Sequence, residues 1–459
     1  MRPITPTKST LIMTIPYEAA LSKLNQSAIK IRTGQDESDR IELVSLDEAV
    51  GRVSACDHYS PISTPEFDTS AMDGYAICSE STRLASAEHP VFFYVKGTIA
   101  AGDDFLTLPS RQMSDGTEPC FEIMTGGRFP EGVLEEVFDA CVKVEDTVRL
   151  AGKQAGIGAC IAISKPVPRY ANRRFAGEDI QKGDLVMKEV VTIRASHIMP
   201  LASVGIETIR VQKKPRVYIW STGNELTSQK SHIKDVNGVY LTAASKEAGA
   251  DATFGGSITD EVDALVQTIR DRLELSAVDI MVTSGGVSVG KFDHVRQALE
   301  ALGATIVFHG VAIRPGHPVL FALLPSAWGE VAFFGLPGNP GAAAACFKFL
   351  TVPYLRCLLG QELEKPVLSR LEDLQLGSSS RKSIMEAPNR GLSCDRFRPG
   401  VLQITGDEGL TVHEAAGVFG PAKMAPFVQA NCWIHIKADE ITQTGKKVYC
   451  YPISNVLVS

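Results

Sequence analysis

The sequence predicts a multidomain protein of the α/β class, and three observations carry that prediction. Between residues 213 and 360, apolar runs end in glycine-bearing motifs. Val217–Trp220 leads into Ser221-Thr222-Gly223-Asn224-Glu225, Ile280–Val282 into Thr283-Ser284-Gly285-Gly286-Val287-Ser288-Val289-Gly290, and Val331–Phe334 into Leu336-Pro337-Gly338-Asn339-Pro340. In the same region, strand-like runs alternate with helical segments, the pattern of βαβ units and a mainly parallel sheet. On both sides lie stretches of short alternating runs separated by turn residues, which read as β domains.

In chain order, residues 16–31 carry apolar residues at helical spacing behind Pro16, a start signal. Ile41–Ser45 reads as a short strand and Leu46–Arg52 as a helix ending near Gly51. From Ser60 to Arg169, runs such as Val91–Val95 and Ala140–Val144 alternate with Gly, Pro and Asp clusters. Ala195–Val204 reads as a helix that Gly205 ends, and Pro215 opens the α/β region. Helices are expected over Leu241–Gly249, Glu261–Leu275, Asp293–Leu302 and Gly341–Phe349. After Gly360, Gly377–Ser383 reads as a polar, mobile loop. Cys432–Ile436 and Lys447–Tyr451 then predict a small β-barrel or sandwich.

Bulk properties bound the function. A chain of 459 residues makes two to four domains, and 44% apolar with 22% charged residues is ordinary for a soluble protein. A net charge of -7 without a basic stripe excludes nucleic acid as the expected partner. The ten cysteines form no CxxC pair, so reduced thiols are expected rather than a disulfide framework or zinc site. The first sixteen residues are polar apart from Leu11-Ile12-Met13, so no secretory leader is expected. The uncharged stretch 331–347 is interrupted by Pro337, Asn339 and Pro340 and is not a membrane span. A cytoplasmic protein is the expectation.

The motifs point to anion chemistry. Ligands bind outside the carboxyl ends of strands in open α/β sheets, where glycines let backbone N–H groups approach an anion. Ser284, Gly285, Gly286, Ser288 and Gly290 are the candidate phosphate cradle, and Pro337, Gly338, Asn339 and Pro340 the rigid wall beside it. The loop is neither a Walker A motif nor a dinucleotide fingerprint. Gly286-Val287-Ser288-Val289-Gly290 also fits the G-x-S-x-G elbow of serine hydrolases, with His309 and His317 downstream. Arg314, His317 and Lys291 are the nearby cations; Arg is the best bidentate donor to an oxyanion. Glu225, Asp260 and Asp293 recur at strand ends, and converging carboxylates need a cation such as Mg²⁺. Asp293 alone also reads as a helix cap. In the β region, Asp68–Ala76 reads as a turn, with Gly74 making it tight and Met72 and Tyr75 pointing inward. Met124–Gly127 and Arg173–Ile180 have the same character, the latter a polar site edge.

Taken together and in order, Asp68–Ala76, Ile123–Gly126, Gly177–Ile180, Ser221–Leu226, Ser284–Asp293 and Leu336–Pro340 resemble the MoeA family of molybdopterin molybdenumtransferases, which includes the gephyrin E domain. The resemblance runs from about Tyr17 to the end. It implies a split linker domain (17–60 and 180–212), a β-rich domain (61–179), a MogA-like α/β molybdopterin-binding domain (213–360) and a C-terminal β-barrel (361–459). It implies a homodimer whose cleft combines the β domain of one subunit with the α/β and C-terminal domains of the other. The implied reaction inserts molybdate into adenylylated molybdopterin, with Mg²⁺, and releases AMP. A molybdopterin adenylyltransferase and apo-molybdoenzymes are the implied partners. Asp73, Thr125 and Asp179 match β-domain active-site positions. Glu225, Asp260 and Asp293 match the acidic α/β positions, also the implied metal ligands, and Ser288 matches the glycine-loop serine. Arg314 stands where the family has lysine, His317 replaces a second lysine, and Gly310 replaces a basic residue. Lys234-Asp235-Val236-Asn237 lacks the preceding Pro-Gly, and Phe138-Asp139 is an addition near its strand. A gephyrin-like scaffold is the alternative role; the extra β domains argue against a molybdopterin adenylyltransferase.

Overall fold

The computed structural model describes residues 14–103, 117–130, 138–150, 159–227, 233–287, 293–372, 393–406, 409–416, 420–440 and 444–453. They form two compact units.

One unit comprises residues 43–50 and 54–210. Its sheet contains β1 (Gly74–Ile77), β2 (Val91–Ile99), β3 (Glu118–Ile123), β4 (Ala140–Lys143), β5 (Thr147–Leu150) and β6 (Cys160–Ile163), in the order β4-β1-β3-β2-β6-β5. All neighbours run antiparallel except β2 and β3. Alternate side chains point to opposite faces of a strand. Tyr75, Ile77, Cys120 and Val142 accordingly fill one core, and Ala76, Phe121, Ile123 and Cys141 the other. Both faces of the central strand Gly74–Ile77 are covered, which is why all four of its residues are buried. Tyr75 is buried as expected, but Met72 is 37% exposed, because it precedes the strand and escapes its alternation. Gly74 is needed for space rather than for a turn: a Cβ there would lie 2.0 Å from the Val142 carbonyl oxygen across the ladder.

Phe138-Asp139 is built into this unit. Phe138 meets Phe121 edge-on at 5.2 Å, and the buried Asp139 carboxylate accepts from the Ser79 amide and hydroxyl, each at 2.8 Å. Leaving both donors unmet costs about 1–3 kcal/mol each. Asp139→Ala is expected to destabilise the unit by about 2–4 kcal/mol, read as a lower urea midpoint. A loss below about 0.5 kcal/mol would show that Ser79 finds other partners.

The other unit comprises residues 1–42, 51–53 and 211–459. After α1 (Tyr17–Gly34) come β7 (Arg216–Thr222), α2 (Asn237–Glu247), β8 (Asp251–Ile258), α3 (Val262–Leu275), β9 (Ile280–Ser284), α4 (His294–Ala301), β10 (Thr305–His309), β11 (Leu320–Ser326) and β12 (Gly329–Leu336). The sheet order is β8-β7-β9-β12-β11-β10. The first four strands are parallel, and β11 runs against both of its neighbours. Trp220, Met281 and Phe333 face α3 and α4, while Ile219, Val282 and Phe334 face the other helices. Tyr17, Ala20, Leu24 and Ala28, one stripe of α1, are buried in the core of that second side, where α1 packs against the helical segment 347–358 that follows β12, so the segment that the resemblance assigns to the linker joins the α/β core.

Next come α5 (Pro340–Cys346), a π-helical turn at Phe347–Thr351, and α6 (Val352–Leu358). The chain then enters β13 (Val367–Leu371), β14 (Asp395–Thr405), β15 (Gly409–Glu414), β16 (Cys432–Ile436) and β17 (Lys447–Pro452). Their order is β14-β15-β13-β17-β16, and β16 pairs back to β14. That pairing closes a five-stranded barrel, which leaves no open sheet edge. Leu402, Val412, Ile434 and Val448 fill it. From its outer face, Phe397 stacks on Phe349 at 3.7 Å, tying the barrel to the α/β core. The α/β class, the mainly parallel sheet and the terminal barrel are as the sequence predicts. Gly377–Ser383 lies outside the described residues. All ten cysteines are free, and no helix among the described residues is long and apolar enough to cross a membrane.

Candidate active site

From β7 the chain first adds β8 on one side, then crosses to add β9 on the other. Such a reversal of strand order opens a crevice at the carboxyl ends. A cleft of about 750 Å³ lies there, lined by Thr222, Glu225, Asp260, Gly285, Gly286 and the Pro337–Pro340 loop. The three strand-end motifs of the sequence therefore meet at one place.

Gly285 and Gly286 adopt φ of 102° and 66°, conformations that favour glycine. A Cβ on Gly285 would lie 2.4 Å from the Thr222 carbonyl oxygen, and one on Gly286 2.9 Å from Val295. The backbone thus approaches β7 as no other residue permits. The loop is also stapled. Asn237 Nδ2 donates to Ser284 Oγ and to the Gly338 carbonyl, both at 2.7 Å, and Ser284 Oγ donates to the Pro337 carbonyl at 3.1 Å. The Gly285 amide donates to Leu336 O at 2.9 Å. Asn237 opens α2, where Asp235 Oδ1 accepts from the Gly238 amide at 2.9 Å. Asn237 is the site residue that sequence reasoning missed. Its signal was the Asp-x-Asn segment, noted for the Pro-Gly it lacks rather than for the asparagine.

The predicted residues separate into groups. Ser284, Gly285, Gly286, Pro337, Gly338, Asn339, Pro340, Glu225 and Asp260 line the cleft. Ser288 and Gly290, with Lys291, lie outside the described residues, as does the elbow serine of the hydrolase reading. Asp293 is absent from the lining: buried, it caps α4 by accepting from the Arg296 amide at 3.2 Å, and it lies 3.3 Å from His309 Nδ1. Burial pushes the Asp293 carboxyl up and the His309 imidazole down. Arg314 is also absent from the lining; it is exposed, next to the buried Ile313, and Ile313–Arg314 pairs with Asp395–Arg396. Burial, then the like charge of Arg398 and Arg314, lowers the pKa of Arg396, so cations gather there. His317 bonds Thr14 Oγ1 at 3.0 Å beside Gly310.

The cleft is acidic: Glu225, Asp235 and Asp260 line it against Lys234. Asp260 Oδ1 is buried with no hydrogen-bond partner among the described residues. An unmet buried carboxylate oxygen is costly, and a cation would satisfy it. Among the described residues no group of three or more His, Cys, Asp or Glu is set to hold a metal. Asp260 and Glu225 suit Mg²⁺ all the same, because that ion takes one or two carboxylates together with substrate phosphates. Asp293 caps α4 through Oδ1 and does not line this cleft.

The remaining candidates belong to the β-sheet unit, where Asp68–Ala76, Met124–Gly127 and Arg173–Ile180 converge. Asp73 Oδ1 accepts from the Thr125 amide at 2.7 Å and its hydroxyl at 2.9 Å. Asp68 pairs with Arg173 and accepts from the Ala176 amide at 2.7 Å. Asp179 is exposed, 4.0 Å from Arg174. The Thr125 amide, then its hydroxyl, holds the Asp73 carboxyl below its ordinary 3.8. A depressed folded pKa contributes stability that is present above the unfolded value and lost as pH falls through the folded one. Asp73→Asn is expected to leave the protein folded at neutral pH and to flatten the acid limb of its stability profile below about pH 4. An unchanged acid limb would remove Asp73 from that linkage.

The chain is similar to known proteins over most of its length. Residues 15–205 match a family model described as the MoeA N-terminal region (domain I and II), and residues 218–357 one described as a probable molybdopterin binding domain. The molybdopterin molybdenumtransferase of Synechococcus elongatus is 31% identical over 349 residues, 75% of this chain and 80% of that protein. This chain belongs to the MoeA family. Its MoeA relative in Haemophilus influenzae, also named molybdopterin molybdenumtransferase, is 28% identical over 95% of this chain and 99% of that protein. A crystal structure of the Pyrococcus horikoshii molybdopterin biosynthesis MoeA protein superposes with a TM-score of 0.69 at 28% identity, covering 97% of this chain and 100% of the other.

Proposed function

We propose that this chain is a molybdopterin molybdenumtransferase that inserts molybdate into adenylylated molybdopterin and releases AMP, acting as a homodimer in the last step of molybdenum cofactor biosynthesis. One observation carries the reading: a glycine turn without side chains shares a cleft at the sheet's switch point with Glu225 and with Asp260, whose Oδ1 is buried and unpartnered among the described residues. The Gly285–Gly286 backbone approaches the pterin phosphate. Asp260 and Glu225 would hold Mg²⁺, which when bound supplies charge neutralisation for the phosphoanhydride. Without it, an anionic substrate would meet an acidic cleft. Arg314, with Arg396 beside it, is the candidate molybdate contact. Asp73, oriented by Thr125, is the candidate acidic residue of the β-sheet unit. No residue need form a covalent intermediate; positioning and electrostatic stabilisation supply the rate.

The test is reconstitution with purified protein, adenylylated molybdopterin, Mg²⁺ and molybdate. AMP release and activation of an apo-molybdoenzyme are expected. Asp73→Asn should lower both by more than 100-fold, on the order expected for a misplaced substrate. Wild-type protein that binds the pterin but leaves apo-enzyme inactive would favour the scaffold role. Sedimentation showing only monomers would overturn the dimer.

A further inference from the structure

A second cavity, of about 500 Å³, lies at the opposite pole of the α/β sheet. Its wall is made where the parallel strands begin. Arg216 opens β7, Asp279 precedes β9, and Trp328 and Glu330 flank the start of β12. Arg32 from the last turn of α1, Arg40, Lys213 and Lys214 complete it.

The charges do not balance. Five cations line the cavity against three carboxylates. Asp279 is taken by Arg216 in a two-pronged pair, at 3.0 and 2.9 Å. Glu330 is taken by Lys30 from outside the lining, at 2.8 Å. Asp39 is left to offset Arg32, Arg40, Lys213 and Lys214. Lys213 donates to the Ser38 carbonyl at 3.2 Å, which does not neutralise it. The Nε donors of Arg32 and Arg40 are buried and have no hydrogen-bond partner among the described residues. A buried guanidinium N–H without an acceptor is unfavourable, and an oxyanion is the partner whose geometry suits it. At the rim, Trp328 is 63% exposed, although the other two tryptophans, Trp220 and Trp433, are 3% and 2% exposed. An exposed indole next to converging cations is the arrangement that stacks a planar base while its phosphates are held.

We propose that this pocket binds a nucleoside phosphate, separately from the cleft at the carboxyl ends. Its phosphates meet Arg32, Arg40 and the two lysines, and its base lies on Trp328. The proposal is independent of the transferase reading, since none of these residues lines the cleft.

The full-length chain is titrated with ADP while tryptophan fluorescence and heat are followed, because Trp328 is the accessible indole. Saturable quenching is expected, lost in Trp328→Phe. Arg32→Gln/Arg40→Gln should weaken ADP at least ten-fold, with a thermal melt confirming the fold. Pyrophosphate should compete, and adenosine should bind at least ten-fold more weakly than ADP. Asp260→Asn, in the other cleft, should leave the quenching curve unchanged. Absence of saturable binding, equal affinity of adenosine and ADP, or undiminished affinity in the double arginine variant would each overturn the site.

Discussion

Gly285→Ala is expected to abolish molybdenum insertion and to cost about 2–5 kcal/mol of stability. Two penalties combine. At φ 102° an L-residue is strained by about 1–3 kcal/mol. The new methyl would also press on the Thr222 carbonyl at 2.4 Å, and backbone inside a parallel sheet cannot yield as a flexible side chain would. Overpacking of this kind adds about 1–3 kcal/mol. If the loop moves instead, by about 1 Å, the substrate is misplaced, and insertion falls by about 100-fold or more. Gly338→Ala is the control. Its Cβ would lie 3.5 Å from Gly285 Cα, an ordinary contact, so its effect on stability should stay below about 1 kcal/mol. Denaturant titration and the reconstituted assay read both variants. Insertion by Gly285→Ala within three-fold of the parent rate would show that the turn does not hold the substrate.

Asn237→Ala is expected to cost about 2–3 kcal/mol and to lower insertion by about ten-fold or more. One amide group joins two loops far apart in sequence, bonding Ser284 on one and Gly338 on the other. Its removal leaves the Gly338 carbonyl without that donor, while Ser284 keeps its bond to Pro337. The glycine turn and the proline loop are then held together only by the Ser284–Pro337 and Gly285–Leu336 bonds and by packing. A double-mutant cycle with Ser284→Ala isolates the staple, and a coupling of about 1 kcal/mol is expected. Additive effects would mean that the two residues act separately. Asn237→Asp should not rescue, because its carboxylate would face the Gly338 carbonyl instead of donating to it.

Much of the architecture was legible because local chemistry and global fold agree here. Apolar runs ending at glycines named β7, β9 and β12, and alternation in Cys432–Ile436 named a barrel strand. The legible part thins where one residue has two sufficient explanations. Asp293 fitted both a metal ligand and a helix cap, and in the fold its side-chain oxygen accepts from the Arg296 amide as a cap does. Gly74 fitted a turn, yet its reason is the Val142 carbonyl on another strand. Met72 followed the rule for an inward residue but stands outside the strand that would have turned it in.

What the sequence determined by itself was the class of each segment and the placing of the glycine, proline and acidic motifs at strand ends. Those follow from periodicity and backbone chemistry, which act over a few residues. Only the tertiary structure decided which motifs share a cleft, that Asn237 locks two of them together, and that cations gather at the far pole of the sheet. Those outcomes depend on strand order and on contacts between residues hundreds of positions apart, where a side chain's role is set by what the fold brings against it.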